Sequence, residues 1–288
     1  MMVELDHVIL TRFNLPSIGA ESYIRAQEGW LKNRWELFQR YCVPSVRAQV
    51  EKNFVWLVFL DPESPRWLVD GMASFERESL LVTSYRTGVD RDELLKDITT
   101  ALGTRRERLV TTNLDNDDGI ASDFVSRIQA TVHDGPTRAI YLTNGLIKGG
   151  DSIYFRHDRH NAFCTVSAPW NAPRTCWATW HNLLTTEMPA DEVGGDPAWL
   201  QVIHGTNVSN KIRGRLASSK SYQDSFPGLL EEVSEPTTSQ LLKDRLLDRP
   251  MRFIRDAGRR SIKRIAMFVL GKDGIDKAKH WLASRLHS

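Results

Sequence analysis

Cysteine is scarce in this chain of 288 residues, which has only Cys42, Cys164 and Cys176. Their odd number and lack of metal-site spacing argue against a disulfide framework and a zinc finger. No apolar run approaches the roughly twenty residues of a membrane span. The longest, Phe54 to Leu60, has the length of a strand. Two glycine signatures are also missing. No Gly-X-Gly-X-X-Gly turn follows the first apolar run, and no Gly-X-X-X-X-Gly-Lys-Ser/Thr loop occurs anywhere. A nucleotide would therefore have to be held by acidic groups through a metal. Repeats and low-complexity tracts are absent. With no signal-peptide pattern at the start, a reducing cytoplasm is the expected compartment.

Apolar residues make up 41% of the chain and charged residues 26%, ordinary values for a globular protein. Nine tryptophans are many, and Trp170, Trp177, Trp180 and Trp199 fall close together. The net charge of +2 hides an asymmetry. From residue 241 onward thirteen Lys/Arg face five Asp, a balance of +8, which leaves −6 for the rest.

Strand and helix signals alternate through the first half. Val8 to Leu10 reads as a short strand, and a helix carries Trp30/Leu31, Arg34/Trp35, Phe38 and Tyr41/Cys42 on one face until Pro44. Phe54 to Leu60 is continuously apolar, as a parallel strand covered on both faces should be. Ser64-Pro65 reads as an N-cap followed by proline at the first helical position. Leu80 to Tyr85 reads as a strand, and Asp90 to Leu102 as a helix closed by Gly103. The next apolar run, Leu109 to Leu114, feeds directly into Asp115-Asn116-Asp117-Asp118-Gly119. A helical pattern follows at Ile120, Phe124, Val125, Ile128 and Val132.

Right-handed βαβ units and a largely parallel sheet follow from this alternation. Strand, acidic turn and helix together present oxygens at the carboxyl end of a sheet, where open α/β folds bind ligands. Hard divalent cations such as Mg²⁺ and Mn²⁺ take oxygen ligands and bridge to phosphate. The plain alternative is a solvated acidic turn. After residue 135, short strands at Arg138–Thr143, Ser152–His157 and Ala162–Val166, with turns at Asn144-Gly145 and Gly149-Gly150, suggest a smaller antiparallel section. Residues 168 to 200 read as loop. Trp199 to Ile203 then forms an apolar run leading to His204 and Gly205.

This layout resembles a GT-A glycosyltransferase, and more narrowly the rhamnosyltransferase family. The matching pieces are Thr11-Arg12-Phe13-Asn14, Trp56 to Asp61, Leu114 to Asp118 with Asp123-Phe124-Val125, and Trp199 to Gly205 with Asn207. They span about residues 7 to 215. The resemblance implies one domain over 1–235, with a nucleotide-binding half to about 135 and an acceptor half from 136. Residues 236–288 form a basic helical C-terminal region. It also implies transfer of a sugar, rhamnose by the family's name, from a nucleoside diphosphate to a hydroxyl of a glycan, lipid or protein.

On that reading Asp115 and Asp117 contact metal and ribose, with Asp118 a further participant. His204 joins Asp117 on Mn²⁺ or Mg²⁺, within about 8 Å, since imidazole is a good ligand for Mn²⁺. Thr11, Arg12, Phe13, Asp61, Arg86 and Asn116 would meet the nucleotide, and Lys211, Arg213 and Arg215 would cover its phosphates. Arg12 and Arg86 could instead serve as surface salt-bridge residues. An inverting reaction needs a general base. Asp196 is the first choice and Asp191 the second, with Glu187 and Glu192 behind them. Trp170, Trp177 and Trp180 could stack on sugar faces or belong to the core. His157 and His160, which flank Asp158, read as polar residues at a hairpin end.

Two other classes compete. A nucleotidyl or phosphoryl transferase could use the same carboxylate–metal site, and a carbohydrate- or Ca²⁺-binding module needs no catalysis. The acidic run lacks the loop length and terminal Glu of an EF-hand. In the tail, leucines and isoleucines lie among basic residues. That composition suits peripheral contact with the inner face of an anionic membrane, packing on the body, or a homo-oligomer. Nucleic acid is not expected, because aromatic interleaving is thin.

Overall fold

The computed structural model describes residues 3–16, 29–204, 211–252 and 254–255. Gly205, Asn207, Phe253 and the tail from 256 lie outside them. The chain divides into two units, Met1–Pro236 and Thr237–Ser288.

The first unit begins with β1 (Leu5–Arg12), α1 (Trp30–Leu37), a π-helical turn (Phe38–Cys42) and α2 (Val43–Arg47). Next come β2 (Val55–Leu60), α3 (Arg66–Arg77), β3 (Val82–Tyr85) and α4 (Arg91–Leu102). The acidic turn lies between β4 (Arg108–Asn113) and β5 (Gly119–Ile120), and α5 (Phe124–Thr131) follows. The remainder is β6 (Arg138–Leu142), β7 (Asn144–Gly149), β8 (Ser152–His157), β9 (Thr165–Pro169), α6 (Leu184–Glu187), β10 (Ala190–Val193), β11 (Trp199–Ile203) and β12 (Arg215–Ala217). The second unit contributes α7 (Thr238–Lys243), capped by Thr237, and a π-helical turn (Asp244–Asp248).

A seven-stranded sheet runs in the order β10-β6-β9-β4-β1-β2-β3. All its strands are parallel except β9, which is antiparallel to both β4 and β6. This sheet continues past residue 135, because β6, β9 and β10 join β1 to β4 in it. β1 shows why the run is buried on both faces. Ile9 points into one core with Trp56, Val58 and Phe38, while Val8 and Leu10 point into the other with Leu57, Leu94 and Ile98. Helix α4 starts where the sequence placed it. Asp90 accepts from the Glu93 amide, and Glu93 reaches back to the Asp90 amide, closing a capping box.

A five-stranded sheet, β12-β8-β7-β11-β5, is the smaller section. It is mixed rather than antiparallel, since β11 runs parallel to β7. Two of the sequence expectations change here. Ile120 lies in the short strand β5, paired with Trp199, so the helix starts four residues later at Phe124. Asn144-Gly145 is the beginning of β7, not a turn. Gly145 is required because a Cβ there would fall 2.0 Å from the Trp199 ring.

One core histidine carries a pH dependence. His7 on β1 is 1% exposed, and its Nε2 lies 2.8 Å from the Thr112 hydroxyl. Burial lowers its pKa from 6.5 to about 3. The unfolded chain therefore takes up a proton that the folded one refuses. His7 costs no stability above pH 6.5, and its penalty grows as pH falls from 6.5 toward 3. Urea midpoints at pH 7 and pH 5 should differ less in His7→Gln, which retains a polar partner for Thr112, than in wild type.

Candidate functional site

Parallel pairing brings the carboxyl ends of β1, β2, β3 and β4 to one edge, at Arg12, Leu60, Tyr85 and Asn113. The acidic turn leaves β4 on that edge and is stitched to the end of β1. The Leu114 amide donates to the Leu10 carbonyl, and the Thr11 hydroxyl donates to the Leu114 carbonyl at 2.8 Å. The Asn116 amide nitrogen donates to the carbonyls of Arg12 and Phe13, at 3.2 and 2.6 Å. Thr11, Phe13 and Asn116 are thus buried parts of the scaffold. The polar side-chain groups of Thr11 and Asn116 are used internally, and the Phe13 ring packs on Phe38.

The three carboxylates of the turn go three ways. Asp115 opens to solvent and accepts from the Asn113 side chain at 3.2 Å. The protein crowded around it, and the charge of Asp117, push its pKa up. Asp118 is 2% exposed and accepts the Val202 amide of β11 at 2.8 Å. Burial, followed by repulsion from Asp117 and Asp115, pushes its carboxyl far up. Its place ties the turn to β11, which makes it a structural anchor.

Asp117 is 6% exposed and lies between two cationic partners. Its Oδ2 is 2.8 Å from His204 Nε2 and also accepts from the Arg34 guanidinium. Burial opposes its charge, but the bonds and charges of His204 and Arg34 win and hold its pKa below the usual carboxylate value. His204, eighty-seven residues away in sequence, reaches the turn because β11 ends beside it. Arg34 was missed as a site residue. It sits within the apolar stripe of α1, between Trp30/Leu31 and Phe38, where a charged residue needs a buried partner. That misplaced charge was the available signal.

A cleft of about 470 Å³ opens beside this edge, lined by Arg12, Arg91, Leu94, Arg174, Thr175 and Trp177 among others. Arg12 lies over the Trp177 ring, 4.0 Å from its centroid. The Trp177 indole donates to Asn113 Oδ1 at 2.7 Å, and Asn113 in turn donates to Asp115. The cleft and the acidic turn therefore share a wall. Asp61 lies on the same edge, where it receives the Glu63 amide at 2.9 Å. Arg86 lines a neighbouring depression but grips Asp97 through two bonds, at 3.0 and 2.5 Å, and the Asp97 bond and charge push its pKa up. It is a salt-bridge residue.

None of the proposed bases is brought to Asp117. Asp196 precedes β11 whereas His204 follows it, and five strand residues at about 3.3 Å each put about 17 Å between the two ends. Asp196 is exposed, and it is its backbone carbonyl that accepts from Arg127. Asp191 lies on β10, three strands from β4, and is held by Arg138 through two nitrogens. The Arg138 bond lowers its pKa. Glu192 is paired with Arg159 and Glu187 with Arg174. Asp191, Glu192 and Glu187 are thus engaged in ion pairs with arginine, whereas the Asp196 side chain is exposed. Asp196→Ala is expected to retain turnover within about threefold, as exposed substitutions away from special features usually cost little; a donor-turnover assay checks it.

The tryptophans also separate. Trp177 lines the cleft, and Trp180 is 73% exposed. Trp170 follows the antiparallel β9 and donates to Asp6 at the opposite edge, so its sugar-stacking role is corrected. His157 bonds Asn144 across the β7–β8 pair, as a hairpin-end residue should. Arg215 of β12 lies over the ring of Phe155 on the neighbouring β8.

A mainly parallel sheet with one reversed strand and an acidic turn at its carboxyl edge is the GT-A architecture of nucleotide-sugar glycosyltransferases. The chain belongs to the family described as "Putative rhamnosyl transferase", whose model matches residues 6–216. No curated protein matches it. Among solved structures it is similar to S. aureus TarS 1-349 in complex with UDP, at 9% identity and TM-score 0.38 over 69% of this chain and 60% of that one. Another is the inositol-1-phosphate CTP transferase from T. maritima, at 12% identity and TM-score 0.39 over 81% and 100%. The match to the TarS crystal structure spans only 21% of that chain.

Proposed function

We propose that the chain transfers rhamnose from a nucleoside-diphosphate donor to a hydroxyl of a glycan, with the donor lying along the edge from the Arg12–Trp177 cleft to Asp117. The observation that carries this reading is the Asp117–His204 pair, a carboxylate and an imidazole joined at 2.8 Å beside an arginine-lined cleft. Lipid or protein acceptors fit the same chemistry.

Among the described residues no three His, Cys, Asp or Glu are grouped to hold a metal. The two-residue set still suits Mn²⁺, which takes both a carboxylate and an imidazole, while Mg²⁺ would rest on the carboxylate; either fills its other positions with water and phosphate oxygens. Asp117 and His204 would hold the ion, which neutralises charge on the departing diphosphate. Arg12, with Arg91 and Arg174, offers donors and positive charge to the nucleotide, and Trp177 a flat surface for its base. Asp115, open to solvent, accepts hydrogen bonds from donor hydroxyls. Lys211 and Arg213 follow His204 closely enough in sequence to approach the phosphates.

The test is a panel of sugar nucleotides, including a rhamnose donor, incubated with and without Mn²⁺. Mn²⁺-dependent release of nucleoside diphosphate supports the reading. Release of pyrophosphate from a nucleoside triphosphate and a sugar 1-phosphate, assayed alongside, would instead indicate a nucleotidyltransferase, and no turnover in either assay a binding module.

No helix among the described residues is long and apolar enough to cross a membrane. In the second unit Leu242, Leu246, Leu247, Met251 and Ile254 are exposed among Lys243, Arg245, Arg249 and Arg255. We read this segment as a peripheral contact for an anionic surface, each basic residue contributing about 1 kcal/mol near the headgroups. Pelleting with phosphatidylserine vesicles at low salt, lost on truncation after Glu235, is the expected result.

A further inference from the structure

A cation already occupies Asp117. Arg34 reaches from α1 so that one guanidinium nitrogen donates to Asp117 Oδ2 and, at 3.4 Å, to Asn116 Oδ1. Its side chain is 14% exposed, and the Trp30 ring flanks it at 5.6 Å. The Nε–H is buried and makes no hydrogen bond. A buried N–H without an acceptor costs about 1–3 kcal/mol in a settled structure, so this one is suited to an acceptor that arrives from outside the chain. Guanidinium is planar and presents its donors as a fork that matches two phosphate oxygens.

Two charges compete at one oxygen. A divalent ion drawing on Asp117 Oδ2 meets Arg34 there, and like charges on one carboxylate repel strongly in a partly dry site. We propose that Arg34 is a displaceable occupant of the cation position. It holds Asp117 while the site is empty, and it turns to the diphosphate of the arriving donor when the divalent ion takes the carboxylate. This rests on the assignment of the ion to Asp117 and His204 made above. Its consequence is cooperative loading. The ion alone binds weakly because it must displace Arg34 into nothing, whereas the ion with a diphosphate gives Arg34 a new partner. Each ligand then raises the affinity of the other by the same factor.

The experiment compares wild type, Arg34→Lys and Arg34→Gln, each checked for an unchanged circular dichroism spectrum. Binding of Mn²⁺ alone is followed by electron paramagnetic resonance, and binding of inorganic pyrophosphate at saturating Mn²⁺ by calorimetry. Arg34→Gln should bind Mn²⁺ alone about tenfold more tightly, within the usual range of site-to-site coupling. The same variant should bind pyrophosphate about tenfold more weakly, having lost a charge-assisted pair. Lysine, a point charge on a shorter reach, should fall between the two, so it decides the matter even if the glutamine variant does not fold. A residue that only supports the fold would weaken both ligands, and one that only repels the ion would leave pyrophosphate unchanged. Either result overturns the proposal. Asp117→Asn separates the two levels: if it binds Mn²⁺ like wild type, the cation assignment itself fails. If it loses Mn²⁺ while Arg34→Gln binds as wild type, only the role of Arg34 fails.

Discussion

Asp117→Asn should lower turnover of the sugar-nucleotide donor by about 10²–10³-fold, the cost of removing one preorganised electrostatic partner from a developing charge. Asparagine keeps the shape and one acceptor oxygen but removes the charge that holds His204 and Arg34 together. The effect should fall on binding of Mn²⁺ and diphosphate as well as on turnover. A stability cost accompanies it, which a solvated turn residue would not show. Asp117 is 6% exposed and ion-paired, so its removal leaves Arg34 uncompensated. Fully buried pairs lose about 3–5 kcal/mol when broken, and the 14% exposure of Arg34 reduces this to about 1–2 kcal/mol. Donor turnover, Mn²⁺ titration and a urea midpoint measured on one preparation distinguish these losses. Unchanged donor affinity in Mn²⁺ would remove Asp117 from the site.

Three of the strands that build the carboxyl edge, β1, β2 and β4, were legible because they are buried on both faces. Val55–Leu60 and residues 109–112 give continuous apolar or β-branched runs that no surface element would carry. β10 was not legible. Its sequence Ala-Asp-Glu-Val has two carboxylates, and only at a sheet edge, with Arg138 and Arg159 alongside, do they tolerate a strand. β5 is two residues long and exists through pairing with β11, a long-range fact that local sequence cannot hold. At the site, the crowding of Asp115, Asp117 and Asp118 was plain, but the division of labour among them was not. Which one anchors β11 and which opens to solvent depends on how β11 docks. Asp196 is only eight residues from His204 in sequence. β11 runs toward the site, so Asp196, which precedes it, stands at its far end.

Gly145→Ala should destabilise the protein by about 3–5 kcal/mol, the upper range for forcing atoms into a packed core. The added Cβ would lie 2.0 to 2.3 Å from three ring atoms of Trp199. That ring has nowhere to go. Trp199 is 2% exposed, its indole donates to the Leu142 carbonyl at 2.9 Å, and it stacks on Phe163 at 5.2 Å. Relief must come from the backbone, and β7 lies parallel to β11 with Leu146 opposite Leu200. Moving β7 away therefore shifts the strand that ends at His204. For a unit of this size a loss of about 3 kcal/mol corresponds to roughly 6–12 °C in Tm. Donor affinity should weaken in the same variant at temperatures where it remains folded. Replacing Trp199 with Leu in the Gly145→Ala background makes room for the methyl group. The pair should be less destabilised than the sum of the single changes by about 1–3 kcal/mol, the range of coupling between residues in contact. Additive losses would mean that Gly145 serves backbone freedom rather than the Trp199 ring.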